Sequence, residues 1–259
     1  MRRVAPTDLA AQAALDAPIV VSGLLQSWPA LTTWSFAALR ERIGQVVVDC
    51  GGGAGGMPFY LVAHNALSSD PDTGLYVFDS DFTEDGGKAG LLPDFGPLPT
   101  LARGDIFAAG AAGGHTDRPV WRWLLAGPAG SGSCLHQDPW RYSSWNASIV
   151  GHKQWVLFPP DTPFATLHPP RPDGIRSSAL ALLASCLGIA AVPRGAAEFM
   201  VEVLPALRNT GLGEVEITQG PGEVIAFPAD WWHCVVNLTS TLAVTESFGK
   251  ERVSTANFD

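Results

Sequence analysis

The stretch SGSCLHQDPWRYSSWNASIVGHKQW, residues 131–155, places His136 and Asp138 two positions apart, between a glycine/serine turn and two strand-like runs. Side chains at i and i+2 of a strand share a face, so a regular strand over 134–138 brings Cys134, His136 and Asp138 to one side. An imidazole and a carboxylate converging inside a β-structure are costly to desolvate unless a cation compensates them, and a divalent metal is such a cation. The best third ligand is His233, in PADWWHCVVNL near the start of another strong strand. Two histidines and one carboxylate leave three positions of an octahedron open, the arrangement of non-haem Fe(II) oxygenases.

Outward from this stretch the β signal is dense. Apolar, β-branched runs at 145–150, 152–158, 215–218, 223–227, 232–238 and 241–247 are separated by turns such as PGE, PAD and LTS. That spacing predicts a mainly β sandwich or barrel closed by short turns. Upstream, 19–25 reads as a short buried segment, and WSFAALRERIG after Thr33 reads as a helix with Trp34, Leu39 and Ile43 on one face. QVVVDC (45–50) reads as a strand running into a flexible loop, GGGAGG (51–56); LYVFD (75–79) and VWRWLLA (120–126) read as further strands. Between 159 and 213 the pattern changes. PPDTPFATLHPPRPDG is too proline-rich for a central strand, while SALALLASCLGIAAV and GAAEFMVEVLPALRN carry helical periodicity. The expectation is a single domain over 1–259, with an N-terminal flank (about 1–118), a β core (about 119–158 and 214–249) and a helical insertion (about 159–213) between its halves.

Composition narrows the partners. A chain of 259 residues, 46% hydrophobic, can bury one sizeable core. With 25 acidic and 16 basic residues, a net charge of -9 and no Lys/Arg run, it lacks a phosphate-binding stripe; this argues against nucleic acid and suits a basic peptide or protein segment. The four cysteines show no paired short spacing, so neither a disulfide framework nor a zinc knuckle is indicated. Asp8, Gln12 and Asp16 interrupt any apolar leader, and no stretch approaches the ~18 apolar residues of a membrane span. The expectation is a soluble intracellular protein, cytoplasmic or nuclear.

The segments SWNASIVGHKQWVLFPP (144–160) and PGEVIAFPADWWHCVVNL (221–238) carry a more specific signal, joined by GLYVFDS (74–80), RWLLAGPAGSGSCLHQDP (122–139) and STANF (254–258). Together they resemble the Jumonji-C family of Fe(II)- and 2-oxoglutarate-dependent oxygenases, particularly its bifunctional arginine demethylase and lysyl-hydroxylase branch. The resemblance implies a double-stranded β-helix, a cupin-like jelly-roll barrel, with flanking N-terminal helices and a helical insertion. His136, Asp138 and His233 match the iron ligands. Lys153 matches the lysine that pairs with the distal carboxylate of 2-oxoglutarate, and Asn146 and Thr245 match positions that hydrogen-bond the cosubstrate. Tyr76 and Ser133 match hydroxyl positions on the same wall, Ser133 standing where a threonine is usual, and Trp123 lines the substrate side.

The implied reaction couples oxidative decarboxylation of 2-oxoglutarate by dioxygen to hydroxylation of a C–H bond, first of all on a lysyl or similar side chain in a basic protein. N-methyl demethylation shares its first step; a small-molecule oxygenase and a non-catalytic binding module are the other readings. The triad alone does not choose a cosubstrate, since cupins with similar ligands bind iron, manganese or zinc without 2-oxoglutarate. Lys153 is the reason to prefer the oxygenase. About a dozen residues follow the last strand, little room for the C-terminal helices through which relatives dimerise, which favours a monomer. His152 is expected to face away from Lys153 as a hydrogen-bonded structural residue; His64, His115 and His168 are expected at the surface, Cys134 packed rather than ligating, and most of the nine tryptophans in the core.

Overall fold

The computed structural model describes residues 2–6, 15–51, 55–82, 86–98, 100–103, 105–107, 120–169 and 195–249. His115, Cys186, the run 178–192 and the segment 254–258 lie outside them. Thirteen strands are described: β1 (Arg2–Val4), β2 (Ile19–Ser22), β3 (Val47–Asp49), β4 (Gly56–Pro58), β5 (Val77–Asp79), β6 (Arg122–Gly127), β7 (Gly132–His136), β8 (Ser143–Val150), β9 (Lys153–Phe158), β10 (Val215–Gln219), β11 (Glu223–Phe227), β12 (Trp232–Asn237) and β13 (Thr241–Phe248). They form a seven-stranded sheet, β1-β2-β11-β8-β13-β6-β5, a four-stranded sheet, β10-β9-β12-β7, and the small hairpin β3-β4. The mainly β, double-stranded β-helix expectation is borne out.

Both faces of the seven-stranded sheet are buried, which is why its strands read as nearly continuous apolar runs. On β8, Trp145, Ala147 and Ile149 point to the N-terminal flank, where they join a core with Trp28, Trp34, Phe36, Leu39 and Phe59. The alternate residues Ser144 and Asn146 face the four-stranded sheet and help to line the cavity between the sheets. The inter-sheet core pairs Val20, Ile225 and Phe227 of the large sheet with Trp155, Leu157, Ile217 and Val235 of the small one. The outer face of the small sheet, with Leu135, Val156, Phe158 and Cys234, is covered by Leu167, Phe199, Val203, Leu204 and Leu207 from the segment between β9 and β10.

The helices follow from local signals. After α1 (Ala30–Thr33), α2 spans Phe36–Ile43; the Ser35 hydroxyl caps it by accepting from the Ala38 amide at 3.0 Å, and Phe36, Leu39 and Ile43 form its buried stripe. Trp34 lies before that cap rather than on the helix, buried and donating from Nε1 to Asp94 at 2.7 Å. Helix α3 (Phe59–Ala66) buries Phe59, Val62, Ala63 and Ala66. Beyond α4 (Phe164–Leu167), residues 196–207 form the expected helix, as α5 (Ala196–Glu198), a π-helical turn (Phe199–Val203) and α6 (Leu204–Leu207). Of the expected glycine loop over 51–56, residues 52–54 lie outside the described residues, and Gly56 pairs with Asp49 in the β3–β4 hairpin. Among the described residues no helix is long and apolar enough to cross a membrane. Of the tryptophans, Trp28, Trp34, Trp145 and Trp155 are core, whereas Trp140 is 70% exposed.

Candidate active site

His136, Asp138 and His233 are brought together, though not by simple alternation along one strand. Strand β7 ends at His136, and its pairing with β12 slips: His136 faces His233 and Ser133 faces Val235, so three steps on β7 oppose two on β12. This bulge puts Ser133 and His136 on the cavity side, while Leu135 packs outside and Cys134 is exposed. The same-face expectation for Cys134 is therefore corrected. Asp138 is likewise off the strand. It is extended (φ -63, ψ 141), as a residue before proline prefers, and leads into the turn Pro139–Arg141.

The carboxylate is aimed from that turn. Ser144 donates to Asp138 Oδ2 at 2.5 Å, and Oδ1 lies 3.6 Å from both His136 Nε2 and His233 Nε2. The Nδ1 atoms are 2.7 Å from the Cys134 carbonyl and 3.1 Å from the Trp231 carbonyl. Carbonyls only accept, so each Nδ1 carries the proton and each Nε2 turns its lone pair toward Asp138. The three donor atoms lie within 4.8 Å of one another. Ligands at neighbouring positions around a divalent ion sit roughly 3 Å apart, so the residues fit a metal after a small contraction.

Electrostatics agree with that role. Burial, reinforced by His136, holds His233 down at about 4, so it is a neutral imidazole. Burial disfavours the Asp138 carboxylate, but His233, His136 and Ser144 together keep its pKa below the usual range. His136 is also penalised by burial, yet Asp138 and the Cys134 carbonyl raise it.

A turn-to-turn clasp holds the two ligand-bearing segments. Gln137 Nε2 donates to the Asp230 carbonyl at 2.6 Å, Arg141 Nε donates to its carboxylate at 2.7 Å, and the Ala229 amide donates to Ser143 at 3.2 Å. Trp140, Arg141 and Asp230 all have positive φ (53°, 59° and 65°), uncommon for residues other than glycine, and such strain clusters where function holds it.

The cavity beside the triad has a volume of about 340 Å³ and is lined from both sheets. All five expected cosubstrate residues, Tyr76, Ser133, Asn146, Lys153 and Thr245, border it, as does Trp123, stacked on Phe78 with centroids 5.5 Å apart. Lys153 is fully buried, and burial alone pushes its pKa down to about 7. It donates to Asn237 Oδ1 at 2.9 Å, and its Nζ lies 5.7 Å from the centre of the Tyr76 ring. Burial raises the Tyr76 phenol, an effect that the nearby Ser133 hydroxyl partly offsets. Asn146 Oδ1 is buried with no hydrogen-bond partner. A buried ammonium held by a neutral carbonyl is an environment that an anion completes, whereas the orphaned Asn146 Oδ1 is an acceptor and calls for a donor. Thr245 differs from expectation in one respect, since its hydroxyl proton goes to the Trp145 carbonyl at 2.6 Å and serves a carboxylate only after the hydroxyl turns.

Ser144, Ser247, Trp155, Phe227 and Asn237 belong to this environment without having been singled out in the sequence. Strand parity could have found four of them: 144 shares a face with Asn146, 247 with Thr245, 155 with Lys153, and 237 with His233. His152 is exposed at the β8–β9 turn, with its backbone amide donating to Thr239, so the expected hydrogen bond is made by the main chain. His64 is exposed as expected, whereas His168 is half-buried and stacked on Phe164 at 4.0 Å.

Two sheets closing on a His/Asp/His cluster and a mostly apolar cavity define a cupin-like protein. Residues 102–250 match the cupin-like domain family, to which the chain belongs. It is similar to the arginine-specific demethylase JMJ22 of Arabidopsis thaliana, 34% identical over 233 residues that make up 89% of this chain and 41% of that protein. The bifunctional arginine demethylase and lysyl-hydroxylase psr-1 of Caenorhabditis elegans is 29% identical over 239 residues, 89% of this chain and 55% of the relative. The human 2-oxoglutarate and iron-dependent oxygenase JMJD4 is 32% identical over 131 residues, 49% of this chain and 27% of the relative. The chain thus spans well under two thirds of the length of these relatives. The expected kinship with the arginine-demethylase and lysyl-hydroxylase branch is borne out.

Proposed function

We propose that the cavity is the active site of an Fe(II)- and 2-oxoglutarate-dependent oxygenase that hydroxylates a lysyl or similar side chain of a protein substrate. The observation that carries this reading is the coexistence, in one cavity, of the His136/Asp138/His233 cluster and the fully buried Lys153. In this reading the cluster holds iron, and Lys153 receives the distal carboxylate of 2-oxoglutarate with Asn146, Tyr76, Ser133 and Thr245 around it. The core, its flank and its insertion act as one domain.

When bound, the iron and 2-oxoglutarate supply the oxidising power for attack on an unactivated C–H bond. The chain's own residues do the positioning. Ser144 aims Asp138, the Cys134 and Trp231 carbonyls orient the two imidazoles, and Lys153 sets the cosubstrate's direction from across the cavity. Trp123, Phe78 and Tyr142 present an apolar, water-excluding wall to the incoming side chain. The charge of -9 favours a basic partner.

The test is to incubate iron-loaded protein with 2-oxoglutarate, dioxygen and lysine-rich or methylarginine peptides, and to measure succinate and peptide mass together. Succinate formation with a gain of one oxygen atom on a lysine peptide is expected. Formaldehyde release from methylarginine peptides instead would assign the demethylase reaction named for the relatives. Succinate formation that responds to neither peptide would exclude these protein substrates.

A further inference from the structure

Lys153 has an unusual partner for a buried ammonium. It sits directly across from Asn237, the two being Cα partners on the adjacent strands β9 and β12, and Asn237 Oδ1 accepts from Nζ at 2.9 Å. Behind Asn237 the hydrogen bonds run in one direction only. Ser131 Oγ donates to the Pro128 backbone carbonyl at 2.7 Å; that carbonyl has no proton to give, so the hydroxyl's single proton is committed. Ser131 can therefore only accept from the amide of Asn237, which it does from Nδ2 at 2.9 Å. The amide is thereby oriented with its carbonyl toward the lysine. The backbone is pinned as well: the Asn237 amide donates to the Ser131 carbonyl and the Gly130 amide to the Asn237 carbonyl, both at 2.8 Å. Ser131, Asn237 and Lys153 are 2%, 1% and 0% exposed.

Asn237 does not itself border the cavity, whereas Lys153 does. Given the reading of this cavity as a 2-oxoglutarate site, we infer that Asn237 is a positioning residue: it fixes the direction of the Lys153 ammonium while leaving its charge unspent for the distal carboxylate of the cosubstrate. The choice of amide over acid is the essential point. An aspartate at 237 would accept the same proton, but its own charge would neutralise the lysine and repel the incoming carboxylate. A side chain without an acceptor would leave the ammonium free to turn and one of its protons without a partner.

The experiment compares wild type, Asn237→Asp, Asn237→Ala and Lys153→Ala under anaerobic conditions with Fe(II). Binding of 2-oxoglutarate and of pyruvate, a 2-oxo acid without the distal carboxylate, is followed by calorimetry. Circular dichroism and Fe(II) affinity report folding. Asn237→Ala is expected to weaken 2-oxoglutarate about tenfold, and Asn237→Asp to weaken it roughly 100-fold, as much as Lys153→Ala, with pyruvate affinity unchanged throughout. Ser131→Ala, one bond further back, tests the same relay without touching the lysine's partner, and a smaller loss confined to 2-oxoglutarate is expected. Asn237→Asp binding 2-oxoglutarate as tightly as wild type, or Asn237→Ala proving the worse of the two, would overturn the inference. Equal weakening of both ligands would make Asn237 merely structural. Wild-type protein that binds Fe(II) and pyruvate but gains nothing from the distal carboxylate would remove the cosubstrate reading itself.

Discussion

At the residue scale, Lys153 and Asp138 are the two side chains whose environments demand a ligand. With its pKa at about 7 in the fold against an ordinary 10.5, Lys153 is largely neutral in alkaline solution. Over that interval the unfolded chain binds more protons, so this group makes the ligand-free protein more stable as pH rises. Cosubstrate binding runs the other way, because a carboxylate needs the ammonium form. The thermal stabilisation conferred by 2-oxoglutarate is therefore expected to shrink between about pH 6.5 and 8.5, and binding at the upper end should take up a proton. Calorimetry in buffers of different ionisation enthalpy measures that uptake. Tyr76, the titratable ring over the lysine, stays neutral throughout because burial raises its phenol. For Asp138, loss of the Ser144 hydroxyl leaves the carboxylate less well aimed. Ser144→Ala is expected to weaken Fe(II) or Mn(II) binding by about 10- to 100-fold, measured by titration, with little change in melting temperature.

At the element scale, the β7 bulge decides which side chains reach the cavity. A regular strand would turn Cys134 inward with His136; the slipped register turns Cys134 out and Ser133 in. Cys134→Ala is accordingly expected to leave Mn(II) affinity unchanged. Gly132 permits the close approach of β7 to β12: it has φ +157°, and a Cβ there would lie 2.0 Å from the Val235 carbonyl oxygen. Gly132→Ala is expected to cost about 3 kcal/mol in denaturant unfolding and to lower metal affinity with it, since β12 also carries His233. These features were not legible in the sequence because a bulge leaves no trace in hydrophobic alternation. Apolar, β-branched runs bounded by turns located β8, β9, β11, β12 and β13 within a few residues; they could not say that β7 stops at His136 or that Asp138 is delivered by a turn. Helix α3 was missed for a related reason. PFYLVAHNA is apolar on more than one side, which blurs its helical period.

At the scale of the whole molecule, the fold is a stack of layers: the helical N-terminal flank, the seven-stranded sheet, the inter-sheet core with its cavity, the four-stranded sheet, and the helical segment that follows β9. Burial on both faces of both sheets leaves few places for polar side chains, and those between the sheets are concentrated around the triad and Lys153. His136, Asp138 and His233 were legible as costly side chains beside strand-like segments, and Lys153 through the resemblance carried by GHKQW. Strand parity puts Ser144 and Asn237 on the site's faces, but their roles were not legible, because a serine or asparagine in a strand has many uses and only the three-dimensional hydrogen bonds reveal these. The central claim is that this layered architecture assembles an iron and 2-oxoglutarate site from strands of both sheets. The most direct measurement is anaerobic titration of the purified chain with Fe(II) and then 2-oxoglutarate, watching for the weak visible metal-to-ligand charge-transfer band. The account expects the band to saturate at one equivalent of each in wild type and to be absent in a folded Asp138→Ala variant. Metal uptake with no band in wild type, or an undiminished band in Asp138→Ala, would contradict it.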